Sequence, residues 1–549
     1  MLSKRARTRL VVPGVALSLA LSACSGGESE PTSPDASGGA GGTFSTHLGE
    51  PTTLVPTNTT ESEGNLVESA LFTGLISYDP GTSQPVNAMA ESIESPDNQT
   101  WTITIQDGWT FHDGTPVTAQ SYVDAWNYGA YGPNAQQTSY FFEKIQGYVD
   151  VQCGANAEGD ADCAATPPAA QTMSGLTAPD ETTLQVVLDA PFSQFPLILG
   201  YNAFYPLPAS FFDDPQAFNE EPVGNGPYRM DGAWRHDEAI DLVRFEEYAG
   251  EAGQAERIEL RIYADSATAY TDVQAGNLDI LDQIPPEQIA TAEQEFGDAF
   301  IESPRSDVTF IEFPLYLPEF TNPDLRRAFS MAINREEIVD AIFQGSRQPA
   351  YSFISPVVQG FRDDEPCDYC QYDPAEAKRL LEAAGGWEGP LTLWFNQGGG
   401  HDRWMEAVAN QLRSNLGIQD IQFQQEDFSE YIPRGANNGF TGPMRMGWVM
   451  DYPSPQNYLE GVFASGAGSN YMRYNNPEVD RLLAQGNAAE SIEAGIEDYL
   501  AAEDIILDEL PAIPMWFGLN QSVHSENVGN VSVDAFGNLR LAEVEVVNG

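Results

Sequence analysis

Lysine is nearly missing from this 549-residue chain: it occurs only at Lys4, Lys144 and Lys378. Lysine and arginine together number 25 against 81 aspartates and glutamates, a formal net charge of −56. Proteins that neutralise nucleic-acid phosphates need clustered cations. Basic side chains do not cluster beyond the N-terminal segment, so no nucleic-acid partner is expected. Histidine is equally sparse, with five residues (His47, His112, His236, His401, His524) scattered singly. That spacing offers no HExxH pair or ligand cluster, and no metal site is expected. No GxSxG nucleophile elbow occurs; residues 464–469, Ala-Ser-Gly-Ala-Gly-Ser, read as a loop. The glycine-rich turn at 222–228 lacks the Lys-Ser/Thr ending and the following helix of a phosphate loop. Carboxylates are so numerous that some pair will fall at glycosidase distance by chance, so their count is no sign of catalysis. Neither a catalytic residue nor a cofactor is predicted.

Long apolar runs are missing too, since nothing after the N-terminus approaches the ~18 residues a spanning helix needs. Residues 4–9 are basic, and residues 10–21 are apolar but broken by Pro13 and Gly14, which reads as a secretory signal. The signal ends Leu21-Ser22-Ala23-Cys24, which resembles a bacterial lipobox. That resemblance implies cleavage before Cys24, a lipid on its thiol and membrane anchoring. Residues 25–42 carry no apolar side chain able to pack and read as a flexible tether with a reach of about 25 Å. With Cys24 committed to lipid, four cysteines remain in an oxidising compartment. Three pairings are open, and closeness in sequence favours Cys153–Cys163 with Cys367–Cys370. Pro366 before Cys367 and Asp373-Pro374 after Cys370 describe a loop, so this CxxC reads as a structural disulfide.

The length suggests about two to four domains, and strands alternate with helices, an α/β pattern. Residues 101–105, 184–188, 258–263 and 391–395 have strand composition and alternation. Residues 323–338 read as one helix, with Leu325, Ala328, Phe329, Ala332 and Ile333 on a single apolar face. The organising stretch is 444–458, MRMGWVMDYPSPQNY. Its first residues read as a strand, ended by Pro453 and Pro455. Asp451 therefore sits where a strand stops, a usual place for ligands in open α/β sheets. On composition alone, an aspartate capping an ordinary turn explains it better.

Gly447-Trp448-Val449-Met450-Asp451-Tyr452 and the residues after it resemble the C-terminal signature of extracellular solute-binding protein family 5. These are the oligopeptide- and dipeptide-binding lipoproteins of ABC importers. Further matches, in the family's order, are Leu71-Phe72-Thr73-Gly74-Leu75, the Gly108…Phe111-His112-Asp113-Gly114 to Ala119 pattern, and Pro511-Ala512-Ile513-Pro514. They span nearly everything after Thr43, and His112 and Asp113 fall in the pattern's turn. The resemblance implies an α/β, two-lobed periplasmic-binding-protein-like fold of class II type, with an extra subdomain in the first lobe. By that analogy 1–23 is the signal peptide and 24–42 the lipidated cysteine and tether. The first lobe takes 43–76, 193–306 and 515–549, its extra subdomain 77–192, and the second lobe 307–514.

The implied function is capture of short peptides between the lobes, outside the cytoplasm, for the membrane permease subunits of an ABC importer, by a monomer anchored as a lipoprotein. Asp451 matches the residue that holds the peptide's α-ammonium group, and Arg445 one that meets a C-terminal carboxylate. Gly447, Trp448, Tyr452 and Asn470 are further ligand-binding candidates from this segment, and Thr60, Glu61 and Ser62 from the loop that lines the cleft in the family. The alternatives are a non-peptide solute (oligosaccharide, opine or metal complex) on the same fold, or an extracellular hydrolase.

Overall fold

The computed structural model describes residues 41–155, 161–364, 366–397 and 399–547. The signal, Cys24 and the tether up to residue 40 lie outside the described residues, while Gly42 already joins the folded body, its carbonyl accepting the Glu256 N–H at 2.9 Å.

The two longest strands, Phe300–Glu312 and Ala512–His524, run antiparallel through the middle of an eleven-stranded mixed sheet among the described residues. On one side Ala512–His524 continues into Ile280–Leu281, Thr43–Leu48, Arg257–Ile262, Ala239–Arg244 and Tyr228–Met230. On the other, Phe300–Glu312 continues into Met444–Trp448, Leu391–Asn396 and the edge strand Ile421–Glu426. Parallel pairs occur at both ends: Thr43 to Leu48 pairs in register with Arg257 to Ile262, and Leu391 to Asn396 with Ile421 to Glu426.

The central pair changes register midway. Pro304 faces Leu519 and Val308 faces Phe517, so Arg305, Ser306 and Asp307 bulge opposite Gly518. A bulge bends and twists a strand locally. The apolar cores part at this point. One buried cluster draws on residues from Phe44 to Ile280 and Val528 to Val544; two others lie between Val308 and Phe517. The fold is thus two-lobed, with the paired strands crossing between lobes. A four-stranded sheet of Ala90–Glu94, Thr100–Ile105, Thr183–Val187 and Leu176–Thr177 supplements the first lobe, with helix Ala119–Ala130 against it. Ile103, Leu184 and Trp126 join the same buried cluster as Phe44, so this subdomain shares the first lobe's core.

One expected helix is broken. Residues 323–338 form Pro323–Met331 and Arg335–Ile338, with Asn334 capping the second by accepting from the Glu337 N–H at 3.1 Å. The expected apolar face is nevertheless buried in full. Arg326 and Arg335 are spent on backbone carbonyls, Arg326 on Leu510 O at 2.9 Å and Arg335 on Pro514 O at 2.7 Å. Cys153 is bonded to Cys163, with Cα atoms 4.7 Å apart, and Cys367 to Cys370 at 5.2 Å.

Candidate functional site

Strand Met444–Trp448 enters the site from the second lobe. After it, Ser454 caps helix Pro455–Phe463 by accepting from the Gln456 N–H, with Pro455 at the first helical position. This geometry brings Asn457, in the first turn, back against the preceding segment. Its Nδ2 donates to Asp451 Oδ2 at 3.0 Å. Its Oδ1 accepts both the Asp451 N–H at 3.0 Å and the Trp448 indole N–H at 2.9 Å. Asp451 has no other side-chain partner among the described residues, and no cation lies in ion-pairing reach. Burial pushes its carboxyl pKa up to about 6, with the Asn457 hydrogen bond pulling the other way.

Asp451 borders a cavity of about 530 Å³ between the lobes. The second lobe contributes Val449, Met450 and Asp451. The first lobe contributes aromatic walls, among them Phe72, Tyr78, Tyr201 and Tyr205, and Phe536, which packs against the second lobe's core, stands against Tyr78. Phe72 stacks on Tyr205, and Phe141 on Tyr201 at 4.1 Å between ring centres. Burial raises the phenol pKa values of Tyr78, Tyr140 and Tyr201, and the charge of Asp451 raises each further. Tyr78 and Tyr201 share the cavity wall with the carboxylate, and Tyr140 stands outside that wall. The arrangement suits an amphipathic ligand that has a cationic end and apolar surface.

Of the candidates from sequence, the structure brings Asp451, Thr60 and Ser62 together in the cavity wall. The others stand outside that wall. Glu61 caps helix Ser62–Leu71, accepting from the Gly64 N–H at 2.7 Å, and also binds the Thr52 N–H. Asn470 is buried and spent on its own loop, donating to Ala464 O and Tyr474 O and accepting from the Tyr474 N–H. Tyr452 inserts into the first lobe's core and donates to Gln456. Gly447 pairs with Thr309 and is exposed. Trp448 packs against the second lobe's core beside Gly461, its indole committed to Asn457.

Arg445 faces the sheet side of Ile311, where Nη1 donates to Asn396 Oδ1 at 3.3 Å. Burial lowers its pKa, and its charge helps burial push His401 down to about 3. Nothing in this placement sets Arg445 against a ligand carboxylate in the cavity. His112 and Asp113 are turn residues: Asp113 accepts from the Thr115 N–H, and His112 accepts from the Gly224 N–H. Sequence reasoning missed Asn457, whose signal was the Ser-Pro helix start three residues ahead of it. It also missed the aromatic walls, which come from residues as far apart as Phe72 and Phe536. Among the described residues no cluster of three or more His, Cys, Asp or Glu is placed to hold a metal ion, and no helix is long and apolar enough to cross a membrane.

Residues 84–470 match the model of the bacterial extracellular solute-binding proteins, family 5 middle region. The chain is 27% identical over 506 residues to the oligopeptide-binding protein OppA of Bacillus subtilis, covering 89% of each chain. It is 27% identical over 476 residues to the periplasmic murein peptide-binding protein MppA of Escherichia coli, covering 85% of this chain and 86% of the other. Among solved structures, the unliganded open form of the murein tripeptide-binding protein MppA superposes with a TM-score of 0.78 at 26% identity. That match covers 92% of this chain and 97% of the other.

Proposed function

The chain belongs to the bacterial extracellular solute-binding proteins of family 5, and from that premise we propose that it captures short peptides between its lobes and delivers them to the permease subunits of an ABC importer. The observation that carries this reading is Asp451: a partly buried carboxylate on a cavity wall, fixed by Asn457 and lacking a cation. A charge withdrawn from water needs an opposite partner, and a peptide's α-ammonium supplies one. The aromatic walls give apolar side chains a surface whatever their sequence. Relatives that bind peptides, the oligopeptide-binding and murein peptide-binding proteins above, support the same ligand class.

In this reading the paired central strands act as the hinge, the bulge at 305–307 opposite Gly518 absorbs the closing motion, and the ligand leaves unchanged. The lobe boundaries drawn from the sequence, 43–76, 193–306 and 515–549 against 307–514, with 77–192 as subdomain, fall close to that hinge, but Met515, Trp516 and Phe517 pack in the second lobe's cores. The protein works as a monomer outside the cytoplasm, anchored through a lipid on Cys24, and performs no catalysis.

Calorimetry with a short peptide, its N-acetylated form and Asp451→Asn tests the reading. Free peptide should bind wild type at least roughly tenfold tighter than either altered pair, since ~1.4 kcal/mol is a factor of ten. Acetylation should add little further loss in the mutant. Equal binding of free and N-acetylated peptides by wild type would remove Asp451 as an amine anchor and favour a non-peptide solute.

A further inference from the structure

The charged groups of the cavity wall are one-sided. Asp79, Asp451, Asp534 and Glu543 face the space, against a single cation, Arg540. That cation is not free, because Arg540 Nη2 donates to Glu543 Oε1. Asp534 accepts from the Phe536 and Asn538 N–H groups through one oxygen, Oδ1. A ligand carboxylate entering here meets three other carboxylates and a guanidinium already paired with the fourth.

The neutral polar groups lean the same way. Asn202 borders the cavity and is 5% exposed. Its Nδ2 donates to Thr59 O at 3.1 Å and to Glu68 Oε2 at 2.9 Å. A backbone carbonyl only accepts, so these contacts fix the amide's orientation. Asn202 Oδ1 is then a buried acceptor without a partner. Buried acceptors are normally satisfied, and one left over in a cavity wall is open to a donor from water or from a ligand. The wall thus has acceptors to spare and no uncommitted cation.

We propose that this cavity selects peptides with a cationic side chain, lysine or arginine, and discriminates against acidic peptides, with the Arg540–Glu543 pair keeping the one wall cation out of ligand binding. The proposal rests on the peptide reading above. It also explains why Arg445 need not reach the cavity: the peptide's C-terminal carboxylate is not recognised by charge.

Calorimetry at neutral pH and low ionic strength with Ala-Ala-Ala, Ala-Lys-Ala and Ala-Glu-Ala tests it. Ala-Lys-Ala should bind at least roughly tenfold tighter than Ala-Ala-Ala, and Ala-Glu-Ala at least roughly tenfold weaker, each step being ~1.4 kcal/mol. C-terminally amidated Ala-Ala-Ala should bind no more weakly than the free acid. Glu543→Gln, which frees Arg540, should improve Ala-Glu-Ala binding and narrow the range. If Glu543→Gln does not fold, as thermal melting would reveal, Arg540→Gln serves instead and should weaken Ala-Glu-Ala further while sparing Ala-Lys-Ala. Equal affinities for the three peptides would overturn the charge selectivity and leave the peptide reading standing. Binding of none of them would overturn both.

Discussion

Asn457 grips Asp451 from two directions, donating through Nδ2 to the carboxylate at 3.0 Å and accepting the Asp451 N–H through Oδ1, also at 3.0 Å. The same Oδ1 holds the Trp448 indole. One side chain at a helix start therefore fixes the anchor's rotamer, its backbone and the neighbouring tryptophan. An anchor that is already in place loses little conformational freedom when a ligand binds.

Asn457→Ala should weaken binding of a free-amine peptide about tenfold, because Asp451 loses its orienting amide and Trp448 its acceptor. Asn457→Asp should be worse at neutral pH, since a second carboxylate beside Asp451 raises its pKa further. Titration calorimetry across pH separates the variants: both should shift the pH midpoint upward, because each loses the Asn457 hydrogen bond that lowers the Asp451 pKa, and the aspartate should shift it further. Trp448 emission should follow ligand addition in wild type, and Trp448→Phe should remove most of that signal.

The hinge offers a steric test. A Cβ added at Gly518 would lie 2.0 Å from Asp307 Oδ1. Gly518→Ala therefore forces the bulge open, at the ~1–3 kcal/mol typical of overpacking. Asp307→Ala removes the obstructing atom, so the double variant should regain much of the lost stability. A thermodynamic cycle from urea unfolding measures this; strict additivity of the two changes would show that the contact is not the cause.

Periodicity made the framework legible. The strands expected at 101–105, 258–263 and 391–395 appear as Thr100–Ile105, Arg257–Ile262 and Leu391–Asn396, because alternation reports directly which side chains face a core. It read through the break after Met331, because the apolar face resumes in phase and only Asn334, a capping residue, marks the interruption. In the candidate site, Asp451 was legible because a strand, a proline turn and a family motif coincide on it. Asn470 shares that motif but serves its own loop, and Glu61 shares the cleft loop but caps a helix. A motif records which residues recur, not which atoms remain free after folding. The cavity's aromatic side comes from Phe72, Tyr78, Tyr201 and Phe536, whose meeting is a property of the chain's path and leaves no local pattern.

Cys24 lies outside the described residues, so the anchor is tested in cells. Wild type should fractionate with membranes and Cys24→Ala should be released or retained as an unprocessed precursor. A mass increase on the N-terminal peptide of wild type alone would identify the lipid. Identical fractionation of the two proteins would argue against anchoring through this thiol.

The last prediction concerns pH. Asp451 has a carboxyl pKa near 6 in the folded protein against an ordinary value of 3.8, with burial as the main cause. In the ligand-free protein the folded state thus holds this proton more tightly than the unfolded state does. Stability contributed by the site is present below about pH 4 and is lost as pH rises through 6. Asp451→Asn keeps an acceptor for Asn457 and removes the charge. It should raise the melting temperature of ligand-free protein above pH 7, with the advantage fading toward pH 4. Binding runs the other way, since an ammonium pairs only with the ionised carboxylate. Below pH 6 peptide affinity should fall by up to roughly tenfold per unit, and above about pH 8 it should fall again as the peptide's own α-amine loses its proton. Calorimetry from pH 4.5 to 9 should therefore give a bell for wild type, with its acid limb missing in Asp451→Asn. A wild-type affinity flat between pH 5 and 7 would show that no carboxylate with a raised pKa receives the ligand.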